Sequence, residues 1–181
     1  LRLVRRPERL AMGEHVNVMI RETSGDAWLY LPDDDRIRPR FLATLESLLQ
    51  AHPDAGFAFC DHWVMDADGN VDEARSLMNS EVYHRKGLRD GLVPREVLLS
   101  LAIWAAIPLQ ASLFRRSVIE SFPLAVGSFA PDVDLHIRIA ASGSVAAACY
   151  SSERLMEYRY HGLQSGFTLE ASHRSWLDAL E

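Results

Sequence analysis

Two kinds of apolar segment alternate along this chain, and the alternation restricts the architecture it can adopt. The run GFAFCDHWVM (56–65) is unbroken and short, whereas Phe41, Leu42, Leu45, Leu48 and Leu49 recur at helical spacing. An unbroken short run reads as a strand, and a 3.6-residue period as a helix with one buried face. On this basis strands are expected at 1–4 (LRLV), 27–31, 56–65, 107–114 and 145–150, and helices at 14–23, 39–49, 94–106 and 132–142. The punctuation agrees: Ser24-Gly25 ends the first helix, Pro39 suits a first helical turn, and Gly143 is placed to terminate the last helix. Residues 72–92 show no clear period and read as a surface excursion. Strands alternating with helices at this spacing predict an α/β domain with a largely parallel central sheet.

At 181 residues, 48% hydrophobic and 24% charged, the chain suits one domain with a sizeable core. The longest uncharged run, 97–114, approaches a membrane span, but Ser100, Pro108, Gln110 and Ser112 interrupt it, so a buried helix followed by a strand is expected and no transmembrane segment. A net charge of −6 and a pI near 5.6 argue against a nucleic-acid groove, which needs clustered Lys and Arg. Cys60 and Cys149 match no metal-ligand spacing and read as buried free thiols, which suits a reducing compartment: the cytoplasm, including the inner face of the membrane. The sequence starts at Leu1 and enters LRLV at once, so an earlier portion of the fold is expected to precede it.

The stretch WLYLPDDDRIRP runs an apolar segment into Asp33, Asp34 and Asp35. Three adjacent carboxylates repel one another unless a cation or hydrogen-bond donors compensate. In open α/β sheets ligands bind beyond the carboxyl ends of strands, where these acids lie, and hard oxygens suit Mg²⁺ or Mn²⁺ bridging to phosphate. The alternative is that the acids serve the dipole of the helix that follows. A calcium loop at DADGN is excluded, because its first and last positions fall on Val64 and Arg75; a hairpin turn is expected. A second acidic site is APDVDLHIR: Asp134 pairs naturally with Arg138 four residues on, while Asp132 at the helix start reads either as a cap or as a proton acceptor. A third is Tyr158-Arg159-Tyr160-His161, at the end of the last candidate strand.

In order and spacing, these pieces resemble the latter part of a family 2 glycosyltransferase with the GT-A fold. Such proteins place a proline and an amphipathic helix after an Asp-rich element, then paired arginines, a DxDLxxR helix and YRxH; this chain has WLYLPDDDRIRPRFLATL, LFRRSVIESFP, APDVDLHIRIAASG and MEYRYHGLQS. Upstream, Asn17 and Gly25 match the family's helix that carries an Asn and ends at a Gly. The resemblance covers nearly the whole chain, as the latter part of a single GT-A domain, with 162–181 supplying a lid and a C-terminal helix.

The resemblance implies a nucleotide diphosphate sugar donor, a glycan, lipid-linked or small-molecule acceptor, and inversion at the anomeric carbon. Asp34 would be the metal-binding acid, with Asp35 and His161 as further ligands for Mn²⁺ or Mg²⁺. Asp33, Asp34 and Asn17 would contact the nucleotide sugar, and Asp132 would be the catalytic base. Pro32 and Pro131 stand where many members carry acids. Two other readings are a nucleotidyltransferase of related fold and a catalytically inactive sugar-nucleotide-binding or scaffold domain.

Overall fold

The structure, a computed structural model, describes residues 2–128 and 130–161; the lid and C-terminal helix expected at 162–181 lie outside the described residues. Helix α1 (Met12–Glu22) is followed by two short strands, β1 (Ala27–Trp28) and β2 (Arg36–Ile37), and by α2 (Phe41–Ala51). The long strand β3 (Ala55–Met65) turns into β4 (Val71–Asp72) and α3 (Glu73–Val82). Then come β5 (Gly91–Pro94), α4 (Arg95–Ile103), β6 (Ser112–Arg115), α5 (Arg116–Ser121), α6 (Pro131–Ser142) and β7 (Ala147–Arg159).

One seven-stranded sheet runs β1-β6-β3-β7-β2, with β4 beside β3 and β5 beside β7. Successive residues of β3 face opposite sides, so Phe57 and Phe59 join a core with Val16, Leu98, Leu135 and Tyr150, while Ala58 and Cys60 join a second core beneath Phe41, Leu45 and Leu49 of α2. A strand covered on both faces reads as an unbroken apolar run, which is why 56–65 was so plain in the sequence. Cys60 and Cys149 are buried free thiols, as their apolar surroundings required.

The sheet is mixed. Among the described residues only β3 and β7 pair in parallel; every other pairing is antiparallel, which corrects the largely parallel sheet expected. A parallel pair needs a long crossover, and the β3–β7 connection through α3 to α6 supplies it; β4 instead folds straight back through the turn at Asp66. The expected strand at 1–4 is absent: residues 2–11 carry no regular structure and Leu3 is exposed, with Arg2 and Arg6 drawn instead to Glu22. The strand expected at 107–114 is cut to Ser112–Arg115 because Pro108, which has no N–H for a ladder, leads a 3₁₀ turn at Leu109–Ala111.

Two further elements differ from the sequence reading. Residues 73–82 form α3, whose buried positions are Ser76 and Ser80 while Leu77, Met78 and Val82 face solvent. The usual polarity is inverted because the sheet beneath offers polar partners: Ser76 Oγ accepts from Val64 N (2.8 Å) and Ser80 Oγ donates to Asp61 (2.5 Å). Strand β7, expected to stop at 150, continues to Arg159 and so joins the core to the YRYH segment in one element.

Candidate active site

Asp33 and Asp34 form a turn where the chain leaves β1 for β2, and Asp35 is buried beneath it. The end of β7 comes alongside. The Arg159 amide donates to Asp35 Oδ1 (2.8 Å), and His161 Nε2 stands 3.1 Å from Asp34 Oδ2. Asp34, Asp35 and His161, far apart in sequence, therefore share one place, with Asp33 in the same turn.

Burial pushes Asp35 up to about 7; the Arg159 amide opposes this, and the negative charge of Asp34 adds to it. Tyr30, half-buried just before the turn, is raised by burial and by all three acids, Asp34 most. This is a tyrosine the sequence reading passed over, and the negative potential of the triplet reaches it. The concentration of negative charge is what a cation would relieve.

His161 Nε2 and Asp34 Oδ2 stand at hydrogen-bond distance (3.1 Å), so one imidazole and one carboxylate are the side-chain groups that could serve a divalent ion here. Among the described residues no group of three or more His, Cys, Asp or Glu side chains is arranged so as to hold a metal ion. Ions of this kind complete their shells with waters and substrate phosphates.

The β3–β4 turn closes beside this loop. Both carboxylate oxygens of Asp66 are taken by the amide and side chain of Asn70 (2.9 and 3.1 Å), the Asn70 hydrogen bonds holding Asp66 below the usual carboxylate range. The turn is thus a self-satisfied hairpin, as expected, not a calcium loop. Next to it a pocket of ≈ 310 Å³ is lined by Val64, Met65, Asp66, Asp72, Arg75, Tyr160 and His161, with the Arg75 guanidinium 4.2 Å from the Tyr160 ring centre.

Asp132 lies in the first turn of α6, one residue after Pro131 at its start; Ala130 is the cap residue and supplies no side-chain bond. Burial raises the Asp132 carboxyl, opposed by the Val133 amide. No side-chain hydrogen bond or ion pair among the described residues joins Asp132 to Asp34 or His161. Asn17, on α1, is engaged with the protein's own backbone. Its side chain donates to Leu124 O (2.7 Å) and accepts from Leu124 N (2.8 Å), pinning the loop that leads into α6. On the same helix Gly13 lets that loop approach so closely that a β-carbon would fall 2.6 Å from Ala125 O, and Arg138 donates to Pro123 O (2.7 Å).

The paired arginines have a structural function. Arg115 donates to Leu49 O and His52 O at the end of α2 and to Ala55 O at the start of β3, and Arg116 to Ile20 O in the last turn of α1 and to Gly25 O beyond it. Each thus satisfies a carbonyl in the last turn of a helix, Leu49 O for Arg115 and Ile20 O for Arg116, and ties that end to the chain beyond it.

No family model matches the sequence, and a search of curated proteins finds no match. Among solved structures, the chain is similar to glucosyl-3-phosphoglycerate synthase from Mycobacterium tuberculosis in complex with phosphoglyceric acid, at TM-score 0.50 and 19% identity, over 93% of this chain and 53% of that one. The chain thus spans about half the length of the solved protein it matches. The two share a GT-A-type fold, a mixed sheet flanked by helices.

Proposed function

We propose that this chain is the latter part of an inverting glycosyltransferase, moving a sugar from a nucleoside diphosphate donor to an acceptor hydroxyl with Mn²⁺ or Mg²⁺. The observation that carries the reading is the meeting of Asp34 and His161 at 3.1 Å beyond the strands of a glycosyltransferase fold. A divalent ion held by Asp34 and His161, with Asp35 beside them, would supply Lewis-acid neutralisation of the departing diphosphate.

The protein's own groups do the rest. The acceptor oxygen bonds to the anomeric carbon as the bond to the diphosphate oxygen breaks, and the acceptor proton passes to Asp132. A carboxyl raised by burial is a stronger base than an ordinary aspartate, and general-base assistance of this kind contributes about 10²–10⁴ in rate. The clamp of Asn17, Gly13 and Arg138 on residues 123–125 holds the approach to α6, and so fixes where Asp132 presents itself. The solved relative's complex with phosphoglyceric acid favours a small-molecule acceptor among the three classes considered.

Titration calorimetry with UDP or GDP tests the reading. Binding should require Mn²⁺ and vanish in Asp34→Ala; unchanged affinity in that variant removes Asp34 from the site. Asp132→Asn should retain nucleotide binding and lose about 10²–10⁴ in transfer rate. A scaffold domain would bind the nucleotide without consuming a sugar donor, and a nucleotidyltransferase would release pyrophosphate from a triphosphate.

A further inference from the structure

We propose that Arg159 is the positioning residue that sets the ion-holding geometry of Asp34 and His161, an inference that rests on the metal-assisted reading above. Two separate parts of the chain, the acid turn and the β3–β4 hairpin, meet on this one residue at the end of β7. Its amide donates to Asp35 Oδ1 (2.8 Å), its Nε donates to the Asp34 carbonyl (2.8 Å), and one Nη donates to the carbonyls of Ala67 (2.8 Å) and Asp66 (3.2 Å). His161 follows two residues later, and the intervening Tyr160 amide donates to Met65 O (2.8 Å).

The targets of the guanidinium are main-chain carbonyls. A guanidinium paired with the Asp34 carboxylate would neutralise the charge a cation needs; one bonded to its carbonyl fixes the loop and leaves the carboxylate to His161 and the ion. The planar fork is suited to this because it spans the acid loop and the hairpin together, which the point charge of a lysine cannot do. The hairpin is held from its other side as well: Arg36 donates to Gly69 O (3.2 Å), and Gly69, at φ +89°, has no β-carbon to collide with that guanidinium. Groups that orient metal ligands in this way typically control affinity by about 10–100-fold.

The test is Mn²⁺ binding to the full chain, read by calorimetry or by loss of the free-ion paramagnetic resonance signal, with Tm followed in parallel. Arg159→Lys should weaken Mn²⁺ binding by about 10–100-fold. An arginine with only a structural role would lower Tm and leave the Mn²⁺ Kd unchanged, and a Kd within about twofold of the parent overturns the proposal. Gly69→Ala, whose β-carbon would collide with the Arg36 guanidinium and lie 3.4 Å from Arg159 Nη1, perturbs the same brace from the hairpin side and decides the matter if Arg159→Lys does not fold: weaker Mn²⁺ binding supports the bracing role, an unchanged Kd refutes it. Parent protein that binds no Mn²⁺ would refute the metal-assisted reading itself, whereas parent binding lost in Asp34→Ala but kept in Arg159→Lys refutes this inference alone.

Discussion

The imidazole of His136 sits with ring centres 5.6 Å from Phe57 and 5.9 Å from Phe114, and its Nε2 finds no hydrogen-bond partner among the described residues. Burial pulls it down to about 4. An unfolded chain takes up this proton near pH 6.5, whereas the folded chain resists until about pH 4, so the folded state loses stability as pH falls between those values. The full effect is on the order of 3 kcal/mol. His136→Phe, which suits the aromatic surroundings, should leave stability at pH 7.5 little changed and make the acid loss shallower; urea denaturation at pH 7.5 and 4.5 measures it. An equally steep acid loss in the variant would show that His136 does not govern it. His62, pulled down by burial to about 3, acts in the same direction and keeps the acid limb from vanishing altogether. At this scale the sequence revealed groups whose chemistry is unusual in itself, such as three adjacent acids. It pointed to Asn17 and Arg159 but not to their backbone bonds, because these are made to main-chain carbonyls and amides whose positions only the folded chain defines.

Among the elements, legibility followed polarity. Helices α1, α2 and α6 and strand β3 stood out because each buries an apolar face or run and ends at recognisable punctuation, Gly143 taking the left-handed conformation (φ 74°) at the end of α6. Helix α3 escaped because its serines face inward, and the two-residue strands β1, β2 and β4 are too short to leave a pattern. The direction of pairing was equally hidden, since it depends on which distant segments become neighbours. The arginine pair after β6 illustrates the same point: the sequence showed two charges, and the structure shows the ends of α1 and α2 fastened to one place. Arg115→Ala should leave the carbonyls of Leu49 and Ala55 without that donor and cost about 1–3 kcal/mol, measured by urea denaturation. A loss below a few tenths of a kcal/mol would mean that water replaces the guanidinium without penalty.

For the molecule as a whole, the largest hidden feature is a set of charges inside the fold. Arg85 Nε pairs with Asp61 Oδ1 at 2.9 Å, with both side chains almost wholly inaccessible. Arg85 also donates to Ala106 O and to the Asn79 side chain, and Arg154 approaches Asp61 Oδ2 at 3.4 Å. Burial raises Asp61, but the Ser80 hydroxyl and the Arg85 charge outweigh it and hold the carboxyl below its usual range. The pair thus links β3, α3, the loop after α3 and the turn after α4. Arg85→Met should cost about 3–5 kcal/mol by stranding the Asp61 charge, and Asp61→Leu combined with it should recover much of that loss. Denaturation of the single and double variants checks this, and equal instability in both would mean that the pair contributes more than mutual neutralisation. The end of β7 has a different consequence. With Tyr160 N bonded to Met65 O, the imidazole of His161 hangs one residue beyond the last rung of the β3–β7 ladder. Gentle heating that unzips this ladder from the Arg159 end would part His161 from Asp34 while the aromatic interior stayed intact, so loss of that contact would precede the cooperative melt.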